Sequence, residues 1–150
     1  MRGMLLLILV MGIIGTGAEL LLIGHFEDLW QLVPLVLFAL AVIVIVCHRV
    51  SLEAALVRIL QSVMIAFIVS GALGVYLHYQ ANVEFELEID PERSGFALVK
   101  EAMSGAMPVL APGTMVLLGM IGLVYTHQHP ALSRRASADL EGSDVDPQHV

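Results

Sequence analysis

The chain has 150 residues, 58% hydrophobic and 14% charged, with a formal net charge of -7. Ordinary soluble domains carry about 45–50% and about 25% of these classes, so seven Lys and Arg with fourteen Asp and Glu are too few to clothe a water-facing exterior. The acids gather at 84–101 and 139–146, which excludes nucleic acid as an expected partner, and the single Cys47 excludes an intramolecular disulfide and CxxC thiol chemistry.

Four apolar runs, roughly 4–23, 30–47, 57–77 and 105–126, predict four transmembrane helices in a compact all-α bundle. At 1.5 Å per residue each reaches about 27–33 Å, enough to cross a hydrocarbon core of about 30 Å. The first run also resembles a signal peptide, with Arg2 ahead of it and the small residues Thr16, Gly17 and Ala18 before Glu19, but Leu20 to Ile23 carry the apolar run past that site. In the second, Trp30 reads as an interfacial anchor and Pro34 as a first-turn proline. Arg2, Arg49, Arg58, Arg134 and Arg135 fall on one side of a four-span arrangement, against Arg93 and Lys100 on the other. The positive-inside rule then predicts a multi-pass protein of the plasma (inner) membrane with both termini cytoplasmic and segments 24–29 and 78–104 outside.

Within the outer loop 78–104, VEFELEI alternates Val83, Phe85, Leu87 and Ile89 with Glu84, Glu86 and Glu88, the period of a short strand. Since a lone strand is not stable, it is expected to lie on the bundle mouth or to pair with a partner's edge. After Asp90-Pro91, Ser94 as cap and Phe96, Val99 and Met103 at helical spacing predict a short interfacial helix. Residues 1–130 are expected to form the transmembrane domain. The segment 131–150, rich in Ser, Asp, Ala and Pro, is expected to be a disordered cytoplasmic tail.

Lipid supplies no hydrophobic drive between helices, so close packing calls for small residues. Ser62, Ala66, Ser70 and Gly74 line one face of the third run and lead to His78; Gly12, Gly15, Thr16 and Glu19 share a stripe on the first; the fourth offers Gly105, Pro112, Gly119 and Gly122. On this reading the polar residues of the first and third runs point inward.

The chemistry-bearing residues collect at the outer mouth. A carboxylate within a span costs about 2.5–3.5 kcal/mol on insertion scales, so Glu19 should be protonated, paired or near water. Glu19, His25, Glu27, His78 and Glu84 offer two imidazoles and several carboxylates, a set suited to a transition metal such as zinc, non-haem iron or copper. The bland alternative is a hydrogen-bonded polar cap bracing the first and third spans. At the opposite end, Tyr125, His127 and His129 precede Pro130, with His48 across from them; histidines at helix ends are ordinarily interfacial or dipole-favoured. No GxSxG and no phosphate-binding glycine loop occurs.

The sequence thus predicts a non-enzymatic subunit or assembly component that docks a larger membrane complex, or a second copy of itself, through Phe85, Leu87 and Phe96. Two alternatives remain: a metal or cofactor site at the outer mouth, and an oligomeric carrier of protons or small solutes.

Overall fold

The computed structural model describes residues 1–51 and 53–132, and among these every regular element is a helix. In chain order they are α1 (Arg2–Leu22), α2 (Leu29–Val50), α3 (Ala54–Ile89), α4 (Gly95–Met103) and α5 (Gly113–Thr126). α1, α2 and α3 are long and apolar enough to cross a membrane. Their outward faces remain apolar, with Met4, Leu7, Met11, Val36, Ile43, Ile65 and Val69 exposed, as a surface solvated by lipid requires. The expected tail lies outside the described residues from 133 onward, while 130–132 are helical.

α3 is the hub and packs against α2, α4 and α5, while α1 is held by α5 and α2. The core joins Leu9 and Ile13 of α1, Phe38, Ala41 and Ile45 of α2, Leu60, Met64 and Phe67 of α3, and Met115 and Leu118 of α5. The Phe38 and Phe67 rings meet edge to face at 5.3 Å. Of the fourth-run glycines, Gly119 and Gly122 lie against Met64, and Gly71 of α3 lies against the Pro112 carbonyl and Val116. The α3 seam is therefore turned from the expected Ser62–Gly74 stripe. It runs through Met64, Phe67, Gly71 and Gly74, while Ser62 is exposed and its hydroxyl donates back to the Arg58 carbonyl.

Three expectations fail for identifiable reasons. Residues 83–89 are not a strand: α3 runs on through them to Ile89, about 54 Å from end to end at 1.5 Å per residue. A helix satisfies its own backbone, whereas an unpaired strand would not. The extension also allows Glu86 to pair with Arg93 and buries Asn82. The fourth run is not one helix over 105–126. Pro108 and Pro112 lack the backbone N–H a helix needs, so 104–112 descends as turns and α5 starts at Gly113. A ladder of three-residue turns, Ala111 N–H to Pro108, Gly113 to Leu110 and Thr114 to Ala111, carries the chain into it. Finally, α2 starts at Leu29, which places Pro34 beyond the first turn, where it deprives the Trp30 carbonyl of its helical partner.

The descending segment still returns the chain to its starting end. The Arg2 guanidinium at the head of α1 donates to the carbonyls of His127 and Gln128 just past α5.

Candidate functional site

The end of the bundle that carries His25 and His78 is shaped by how α1 ends. Gly24 adopts φ 71°, its N–H bonds to Leu21 and that of His25 to Leu20, the paired bonds of a Schellman turn with glycine in the left-handed position. The turn breaks the helical path from Glu19 to His25 and sends the imidazole across to α3, where its ring centre lies 6.4 Å from that of His78. Burial first, and then the charge of His78, hold the His25 pKa below its ordinary value.

His78 is anchored from behind. Its Nδ1 lies 3.2 Å from the Pro108 carbonyl oxygen. A carbonyl only accepts, so Nδ1 carries a proton, and in the neutral ring the lone pair is then on Nε2. Pro108, in the turn-rich segment between α4 and α5, thus supplies the acceptor that orients the ring.

The expected carboxylates do not join the two rings. Glu19 is exposed on α1, two turns beyond Gly12, the member of its stripe that packs against Leu118 of α5. Glu27 is exposed in the α1–α2 turn, and Glu84 is exposed on α3 more than a turn past His78. Among the described residues no three His, Cys, Asp or Glu side chains gather to hold a metal ion.

Beyond these histidines, a single amide organises the segment that joins α3 to α5. Asn82 is 2% exposed. Its Nδ2 donates to the carbonyls of Ala102 at 2.9 Å and Met107 at 2.7 Å, and its Oδ1 accepts the Met107 N–H at 3.0 Å. Every hydrogen-bonding group of the amide except one acceptor lone pair is engaged. Gly105 makes room, since a Cβ there would lie 2.7 Å from the Asn82 side chain. The end of α3 and α4 are thereby bound into one hairpin, which Glu86 and Asp90 reinforce through Arg93. Of the expected docking residues, Phe96 is 83% exposed and Phe85 50%, while Leu87 is half-buried. Val99 and Met103 share the exposed face of α4 with Phe96.

The opposite end holds a cluster that sequence reasoning undervalued. His48 is 1% exposed, and among the described residues its Nδ1 has no hydrogen-bond partner. The rings of Tyr125 and His129 approach it at 6.2 and 4.9 Å, while His127 is exposed. In the sequence Pro130 marks only the end of the helical path after α5. His129 has a pKa below its ordinary value, by burial first and then by the charges of His48 and Arg2. A depressed imidazole pKa means that the unfolded segment binds more protons than the folded one near and below pH 6.5. Its contribution is therefore complete above that pH and is lost as pH falls through it. In nitrogen-15 spectra, the Ala131 amide, which donates to His129 Nδ1 at 3.3 Å, is expected to lose its bonded shift on acidification; His129→Gln should remove that pH dependence.

No family profile matches the chain, and neither a curated protein nor a solved structure matches it.

Proposed function

We propose that the protein is a non-enzymatic, membrane-embedded docking subunit, in which the bundle holds the α3–α4 hairpin outside the bilayer for a protein partner. The observation that carries this reading is the combination of a fixed backbone and uncovered apolar side chains: Asn82 ties α4 and Met107 to α3, while Phe85, Phe96, Val99 and Met103 are left exposed. Exposed apolar groups rimmed by charge mark interaction sites, and pre-organisation lowers the entropic cost of binding. Glu84, Glu88 and Glu92 supply that rim. Glu19 accords with the same reading, because an exposed carboxylate on an apolar helix needs headgroups, water or a partner.

Four crossings, with α5 and its turn-rich lead-in as the fourth, complete the topology. Both termini then lie on the side richer in Lys and Arg, the cytoplasm, and the hairpin lies outside.

Aromatic anchors at an interface typically cost about 2 kcal/mol or more when truncated, so Phe96→Asp should weaken assembly by at least about thirtyfold. Native electrophoresis of detergent-solubilised membranes measures this. Wild-type chain is expected in a discrete complex larger than its lipid-loaded monomer, and the Phe96→Asp chain as the free species; wild-type chain running as the monomer would refute the reading. Glu19→Gln, remote from α4, is expected to leave the complex intact.

A further inference from the structure

The two ends of the bundle each hold a pair of histidines, and their hydrogen bonds give the pairs opposite chemistry. His129 accepts the Ala131 N–H at Nδ1, which puts its own proton on Nε2. That nitrogen is a donor, and Arg2, bonded to the adjoining carbonyls of His127 and Gln128, adds a positive charge. Both features disfavour a cation there. His78 is fixed in the reverse tautomer. It donates Nδ1–H to the Pro108 carbonyl and keeps the Nε2 lone pair, the arrangement by which metal-ligating histidines are oriented from behind.

The second imidazole is His25, carried to His78 by the Gly24 turn, with 6.4 Å between ring centres. For nitrogens about 2.0–2.1 Å from one ion, ring centres lie roughly 6 Å apart when the two bonds are in line and roughly 5 Å apart at the tetrahedral angle. The observed separation, between rings inclined at 62°, leaves the room that the linear case requires. Structural zinc takes four protein ligands, and among the described residues no carboxylate or thiol adds a third. Imidazole also suits copper. A filled-shell monovalent ion is satisfied by two nitrogens in line, which neither zinc nor ferrous iron is. We infer that His25 and His78 form a two-imidazole site for a soft monovalent metal ion, of the cuprous class. Only the copper among the metals expected from the sequence fits, and only two of the five expected ligands take part. The site is independent of the docking surface on α4.

The test uses the full chain in lipid nanodiscs, titrated anaerobically with cuprous ion against a chromophoric chelator and, separately, with silver ion. One ion per chain is expected, with X-ray absorption showing two nitrogen scatterers and no sulfur. His25→Ala, which removes no hydrogen bond, and His78→Gln should each weaken binding by at least about tenfold. His48→Gln and Phe96→Asp should leave it unchanged, which separates failure of this site from failure of the docking surface. Undiminished binding by His25→Ala, a four-ligand absorption spectrum, or displacement of the ion by equimolar zinc would each overturn the assignment.

Discussion

Asn82→Leu is expected to release the outer hairpin while leaving the spanning bundle folded. The leucine removes three hydrogen bonds, those to the Ala102 and Met107 carbonyls and from the Met107 N–H. Those backbone groups then stay beneath the hairpin without partners, at about 1–3 kcal/mol for each one left unsatisfied. Partial rehydration limits the total, so the free energy of opening the 95–107 segment should fall by roughly 2–4 kcal/mol. Amide hydrogen exchange in nanodiscs reads this directly. Protection is expected to collapse over 95–107 and to persist at Leu60, Met64 and Phe67. Asn82→Asp should be no milder: a carboxylate keeps the acceptor for the Met107 N–H but turns two oxygens toward carbonyls that need donors. If either variant exchanged like the wild type, Asn82 would not be what holds the hairpin.

The second large effect is expected in the seam between α3 and α5. A Cβ at Gly119 would lie 2.7 Å from both the Met64 carbonyl oxygen and Ile68 Cγ1, and 3.2 Å from Phe67 Cβ. The carbonyl belongs to helix backbone and cannot swing aside as a side-chain tip can. Gly119→Ala should therefore push α5 off α3 at about 1–3 kcal/mol, the usual cost of overpacking, and Gly119→Leu should cost more. Gly15 is the matched control, because a Cβ there meets nothing within 4 Å. Its alanine variant should be neutral or gain up to about 1 kcal/mol of helix propensity. Unfolding in mixed micelles compares the two, and equal destabilisation would contradict the seam described for Gly119.

The extent of α1, α2 and the apolar part of α3 was readable because hydropathy over twenty residues reports solvent directly. What lay beyond depended on azimuth and on long-range partners. Glu19 shares a stripe with Gly12, which packs against Leu118 of α5, yet two turns farther along that stripe the carboxylate is exposed. The alternation at 83–89 has the period of a strand, and no local pattern in it announces the helix. The helix is held by Asn82, whose partners lie 20 and 25 residues farther on, and by Arg93, which pairs back to Glu86 of α3. Gly24 was legible as a helix stop, and reading it would have placed His25 off the α1 axis. The meeting of His25 with His78 followed from that turn. The approach of His129 to His48 required the path of α5, which the proline-broken segment 104–112 sets and no local pattern reports.

The most direct measurement is site-specific photocrosslinking in intact cells from a probe at residue 96, with a probe at the lipid-facing Val36 as control. The docking reading predicts one discrete protein adduct of fixed mass from residue 96. That adduct should be absent from residue 36 and should disappear when Phe85→Asp is introduced alongside the probe. Lipid adducts alone from residue 96, or the same adducts from both positions, would show that α4 rests on the bilayer and that the hairpin is not a docking surface.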